Sequence, residues 1–193
     1  MAVNHFEELV RAALNAQGYL TFENAAYRLH GNAKSLAGQD NPQLTASDID
    51  LIGFAPRKKG PQRVLAINCK GSREGLRLPA DAERISGRTR APVAGCVPET
   101  GFRELCQPDW AIAFKDCIYR WTGERSFMHV MAVRSYTGEK RLWSCHPPFQ
   151  QMLTEHLDIW DLDHIVRKIH EGRERLHVSN SVLKLVDLLY RPA

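Results

Sequence analysis

The sequence predicts an α/β domain in which helices flank a central mixed sheet, and three stretches carry that expectation. Asn4 to Gln17 places Phe6, Leu9, Val10, Ala13 and Leu14 at helical spacing behind a capping Asn4, and Gly18 ends it. Ser47 to Ser72 holds two short apolar runs, Asp48 to Phe54 and Arg63 to Cys69, joined by a segment of Pro, Gly and Lys, which is hairpin punctuation. Phe102 to Trp121 is apolar around most of a helix and precedes Ser126 to Ser135, whose β-branched and apolar content is that of a core strand.

Taken in order, the elements spell αβββαβ. After the first helix, Gly18 to Arg28 alternates in part and predicts a strand antiparallel to the hairpin. His30 to Thr45 lacks periodicity and is expected to be a loop. Gly71 to Gly101 is rich in Arg, Gly and Pro and shows only a weak helical signal around Ala80 to Ile85. Pro108 shifts the start of the next helix toward the middle of its stretch. The strand at 126–135 is then free to return parallel to Arg63 to Lys70 through that crossover. Arg141 to Ser144 is expected to add an edge strand, and Pro147 and Pro148 to end the sheet pattern. Helices are expected at Phe149 to His156, Leu162 to His170 and Ser181 to Tyr190, covering the sheet or forming a dimer interface. No repeat or linker divides the chain, so a single domain over 1–193 is expected, with a core over about 1–136 and a helical part over about 147–193.

The hairpin carries charge where apolar strands seldom do. Alternation puts Asp48, Asp50 and Ile52 on one face and Ile49 and Leu51 on the other. On the second strand Val64, Ala66, Asn68 and Lys70 share a face, opposite Leu65, Ile67 and Cys69. A carboxylate on one strand thereby neighbours an amide and an ammonium on the next. Half-buried charges are costly unless paired or coordinated, and a simple ion pair at the sheet edge is the plainest account of them.

At these residues the chain resembles the PD-(D/E)XK nucleases, the restriction-endonuclease-like superfamily that includes Holliday junction resolvases and repair nucleases. Asp50 in IDLIG matches that pattern's first acid, and Asn68-Cys69-Lys70 matches its second part, with Asn68 standing where the pattern has Asp or Glu. The resemblance covers Met1 to Lys70 closely and Gly71 to Arg134 in outline. It implies an αβββαβ restriction-endonuclease-like core and a Mg²⁺ or Mn²⁺ ion held by Asp50 and the main-chain carbonyl of Cys69. It further implies that Lys70 orients or helps deprotonate the attacking water, and that a first-helix glutamate, matched by Glu7, faces the metal. Asn68 offers only a neutral amide oxygen, so Asp48, Glu7 or Glu74 is the carboxylate expected to compensate.

Composition narrows the classes. The 193 residues are 44% hydrophobic and 25% charged, enough for one packed core. No apolar run approaches the roughly 20 residues of a membrane-spanning helix, and Glu7, Glu8 and Arg11 make the N-terminal segment unlike a signal peptide, so the expectation is a cytoplasmic protein without membrane contact. The five cysteines lack metal-ligand or disulfide spacing, which predicts mostly buried free thiols. GxSxG, Walker, HExxH and GxGxxG motifs are absent, which argues against those catalytic classes.

Net charge is +4, and its distribution is uneven. Pro56 to Arg90 holds ten basic residues against three acidic ones, among them Arg57, Lys58, Lys59, Arg73, Arg77, Arg88 and Arg90. Such a segment beside a hydrolytic hairpin suits a phosphate backbone, because neutralising phosphates and releasing counterions supplies most non-specific affinity. Three functional readings follow: a metal-dependent endonuclease acting on DNA or RNA, best suited to two strands as a homodimer; a nuclease-fold protein that binds without cutting; and an assembly subunit in which Asp50 and Lys70 form an ion pair.

Overall fold

The computed structural model describes residues 5–29, 46–71, 75–87 and 102–175. The expectations for the 30–45 loop, His30, Arg73, Glu74, Arg88, Arg90 and the Ser181 to Tyr190 helix lie outside the described residues. The remainder is an α/β arrangement around a five-stranded mixed sheet ordered β1-β2-β3-β5-β7, with β1 Leu20–Arg28, β2 Ala46–Phe54, β3 Val64–Lys70, β5 Met128–Val133 and β7 Leu157–Trp160. The β1–β2 and β2–β3 pairs are antiparallel, and β3–β5 and β5–β7 are parallel. Two-residue strands β4 (Leu76–Arg77) and β6 (Tyr136–Thr137) form a separate parallel ladder. No helix among the described residues is long and apolar enough to cross a membrane.

Each sheet face buries its own core, as a layered α/β architecture requires. On one face, helix α1 (His5–Ala16) buries Phe6, Leu9, Val10, Ala13 and Leu14, the stripe expected from its spacing. They pack with Leu51, Leu65, Ile67, Cys69, Val130 and Ala132 of the sheet and with Ile165, Val166 and Ile169 of a C-terminal helix, Leu162–Glu171. That helix covers the sheet as expected. On the other face lies the crossover between β3 and β5, made of α2 (Ala80–Ser86), α3 (Arg103–Cys106) and α4 (Pro108–Thr122). The α4 residues Trp110, Ala113, Phe114, Cys117 and Ile118 pack on Ala25, Tyr27, Ile49, Ile52 and Ala66. Tyr27 makes edge contacts to the rings of both Trp110 and Phe114. Cys69, Cys106 and Cys117 are buried free thiols.

Several elements differ from the sequence expectation. The helix read from Phe102 to Trp121 is two helices, because Pro108 opens α4 as its first residue and Gln107 before it is extended. Arg141 to Ser144, expected as an edge strand, is instead one turn of helix, α5 (Arg141–Ser144), which seats the fully buried Trp143 against Phe102 and Phe149. Pro147 and Pro148 start helix α6 (Pro147–Met152), since proline is tolerated in a first turn. The helix expected to run to His156 therefore ends early, and Leu157–Trp160 becomes the fifth strand; the Leu162–Glu171 helix is accordingly α7.

The seat of α1 rests on two close approaches, one to the end of α7 and one to β2. A Cβ at Gly172, just past α7, would lie 2.2 Å from the Ala16 carbonyl oxygen, and a Cβ at Gly53 would touch Leu14 and Tyr19. Gly172 has a φ of −105, which any residue adopts, so only space demands glycine there. Gly172→Ala is therefore expected to destabilise the fold by about 1–3 kcal/mol through overpacking against backbone, measured by urea unfolding with Gly87→Ala, whose added Cβ meets nothing, as the control.

Candidate functional site

The β2–β3 ladder runs from Phe54↔Val64 to Leu51↔Ile67 and stops there. Beyond it the Asp50 carboxylate accepts a hydrogen bond from the Cys69 N–H at 2.5 Å, doing for β3 what a main-chain carbonyl of β2 would otherwise do. The N–H and C=O of one strand residue point to the same side, so the Cys69 carbonyl faces this opened gap as well. Lys70 closes β3 at the same end, level with Val133 of β5.

Ile49 does not occupy the face that simple alternation assigns, which was that of Leu51. Ile49 and Ile52 lie in the same core while Leu51 lies in the opposite one, so the alternation breaks at Asp50. The cause lies across the ladder, where Glu23 pairs with Leu51 and Ala25 with Ile49, and Asn24 between them sits at φ +50. Asparagine tolerates that left-handed conformation better than most residues, so the kink is locally permitted.

Burial pushes the Asp50 carboxyl up to about 6; the Cys69 N–H opposes this, the carboxylates of Glu7 and Asp48 add to it, and the Lys70 ammonium lowers it. Glu7 from α1, Asp48 and Asp50 from β2 and Lys70 from β3 thus act on one another around the gap. The same surroundings, burial first, raise the Cys69 thiol far above its usual range, so it stays protonated.

On the face of β3 that carries Asn68 and Lys70 lies a residue that the sequence reading missed, Glu104. Asn68, 8% exposed, donates through Nδ2 to Glu104 Oε1 at 3.3 Å, while its Oδ1 is buried with no hydrogen-bond partner among the described residues. Glu104 belongs to α3 and is 2% exposed. Burial raises its carboxyl to about 6, Asp50 adding to the rise and its own backbone N–H, Lys70 and Arg103 opposing it. His129 of β5 has Nε2 3.8 Å from the same Glu104 oxygen, but complete burial takes the ring down to about 3, so it is a neutral neighbour and not a salt-bridge cation. The Lys70 ammonium stands 5.3 Å from the ring centre of Phe102, the residue that leads into α3. Nothing local marks Glu104, since a glutamate in a first helical turn is commonplace.

The expected nucleic-acid contacts separate. Arg57, Lys58 and Lys59 fall in the β2–β3 connection at the far end of β3 from Lys70, roughly 20 Å away at the rise of an extended strand. Lys58 is further engaged by Tyr19, with its ammonium 2.9 Å from the hydroxyl and 4.0 Å from the ring centre. Arg77, exposed on β4, lies at the Lys70 end, because β4 pairs with the β6 strand that follows β5; Arg134 is exposed at that end too. Among the described residues no three His, Cys, Asp or Glu side chains converge closely enough to hold a metal ion. Comparison of the chain with protein-family models, curated proteins and solved structures finds no match.

The raised carboxyl has a stability consequence with a definite sign. Asp50 ionises near 3.8 when unfolded and near 6 when folded, so its contribution is fully present below about pH 4 and is lost as pH rises through 6. Asp50→Asn, which keeps an oxygen for the Cys69 N–H, is expected to unfold on the order of 2 kcal/mol less readily than wild type at pH 7.5. The difference should vanish near pH 4, as read from urea unfolding at both pH values. A gap that does not change with pH would contradict the assigned environment.

Proposed function

We propose that the chain is a metal-dependent DNA endonuclease of the restriction-endonuclease-like kind, with Asp50 as an ion ligand and Lys70 as the catalytic lysine. The observation that carries this reading is the Asp50 carboxylate held on the Cys69 N–H where β2 and β3 part, with Lys70 at the same strand end. The order helix, three antiparallel strands, crossover helices and parallel strand supports it.

The residues present fit the ion that the reading requires. The donors at the gap are oxygens, the Asp50 carboxylate and the Cys69 carbonyl; Glu7 and Asp48 add negative charge nearby, and the buried Asn68 Oδ1, without a partner among the described residues, lies on the adjoining Lys70 face of β3. Hard divalent cations such as Mg²⁺ and Mn²⁺ prefer such a set. Bound there, the ion would supply positive charge to the scissile phosphate and acidify a water.

The protein's own groups do the rest. Lys70 brings an ammonium to the gap, where it orients the attacking water and stabilises charge growing on the phosphate oxygens. Hydrolysis forms a P–O bond to the water oxygen and breaks the P–O bond to the departing sugar oxygen, which takes up a proton as the water gives one up. Arg77 and Arg134, exposed at this end, suit flanking phosphates. A homodimer would bring two such sites to the two strands of a duplex.

One observation favours a second reading, a nuclease-fold protein that binds DNA without cutting it: Asn68 carries an amide where the resembled motif has an acid. End-labelled linear, nicked and four-way-junction DNA, incubated with Mg²⁺ or Mn²⁺, separates the two. Wild type is expected to cleave, and Lys70→Ala to slow cleavage by about a hundredfold or more. Cleavage that survives Lys70→Ala unchanged rejects the assigned site. Cleavage by Asn68→Glu alone selects the binding reading.

A further inference from the structure

A carboxylate that the hairpin motif does not contain lies against the candidate site. Glu104 is almost completely buried, and its partners among the described residues are its own backbone N–H, the Asn68 amide at 3.3 Å and the His129 ring at 3.8 Å. The amide is neutral, and the imidazole is sealed from solvent with no hydrogen bond on either nitrogen from the described residues to steady a charge. Among those residues no lysine or arginine comes within salt-bridge distance of Glu104, although Lys70, Asp50 and Arg103 are near enough to influence it. An ionised carboxylate in such a place is costly without a cation. Beside it Asn68 Oδ1, also buried, has no donor among the described residues. Two buried oxygens thus lie together on the Lys70 side of β3, and the hydrogen-bond donors among those residues leave one of them unserved.

We propose that Glu104 supplies the acidic group that position 68 lacks, as the second carboxylate of a divalent-cation site shared with Asp50. Asn68 is a positioning residue in this arrangement: its Nδ2–H holds Glu104 Oε1 and its Oδ1 is left for the ion or an ion-bound water. The strand residue keeps the hydrogen bond, and the helix residue brings the charge. This assignment rests on the nuclease reading for the presence of an ion, but its own content is binding and is tested by binding.

The experiment is isothermal titration calorimetry of Mn²⁺ into the full chain, with thermal melting by circular dichroism to confirm folding. Wild type is compared with Asp50→Asn, Glu104→Gln and the double variant Asn68→Asp/Glu104→Gln. Each single change is expected to weaken Mn²⁺ by about tenfold or more, since affinity for such ions follows the count of charged ligands. The double variant, which restores a carboxylate on the strand, is expected to bind within about threefold of wild type on the same ground. Glu104→Gln binding as tightly as wild type, while Asp50→Asn has lost the ion, overturns the Glu104 assignment and leaves the nuclease reading standing. A wild type that takes up no Mn²⁺, or an Asp50→Asn variant that binds it undiminished, overturns both. Should Glu104→Gln fail to fold, Glu104→Asp is read in its place, because it keeps the charge and withdraws it by one methylene. A tenfold loss there supports the assignment, because the shortened side chain no longer places its carboxylate on the ion, and unchanged affinity overturns it.

Discussion

The hydrogen bond from the Cys69 N–H to the Asp50 carboxylate fixes where the sheet opens and what faces the opening. A buried amide left unpaired costs about 1–3 kcal/mol, so β3 needs an acceptor at this point, and β2 provides one from a side chain instead of its backbone. The main-chain ladder between the two strands ends at Leu51 and Ile67, and a side chain carries the pairing beyond it. The bond also holds an acid where solvent is partly excluded, which is why the Asp50 carboxyl lies well above its ordinary range. One bond therefore maintains the sheet and prepares a charged group that would be drawn toward a cation.

The two cores bring acids to this opening from opposite faces. Glu7 rides on α1, whose seat against α7 and β2 is set by close approaches at Gly172 and Gly53. Glu104 rides on the short α3, held from behind by the aromatic packing of Phe102 and Trp143 and by the crossover helix α4. Both helices are anchored by apolar side chains over rigid strands, so the carboxylates inherit the precision of the packing. The cost is electrostatic: Glu7 raises the Asp50 carboxyl and Asp50 raises that of Glu104, and the Lys70 ammonium opposes both shifts.

Much of this architecture was legible in the chain, and the limits have physical causes. The stripe Phe6, Leu9, Val10, Ala13, Leu14 and the two hairpin runs are periodic, and period is a local property that survives into the fold. Short elements have too few residues to show one: Leu157 to Trp160 carries Asp158 within four residues, and Arg141 to Ser144 is a single turn whose form is decided by where Trp143 finds its pocket. The basic segment was visible as composition, but composition has no geometry. The three basic residues of the hairpin loop sit a strand's length from Lys70, whereas Arg77 is turned toward it by a two-residue ladder that no pattern announces.

By itself the sequence determined the α/β class, the strand on which Asn68 and Lys70 share a face, and the hairpin that sets a carboxylate-bearing strand beside it. Each of these follows from alternation and turn chemistry within a few tens of residues. Only the tertiary structure decided that the alternation of β2 breaks at Asp50 and that Glu104 meets Asn68. The first depends on Asn24 in the neighbouring strand adopting a left-handed conformation, and the second on a helix 36 residues downstream folding back over β3. Contacts of that kind are set by how whole layers pack, and no local spacing encodes them.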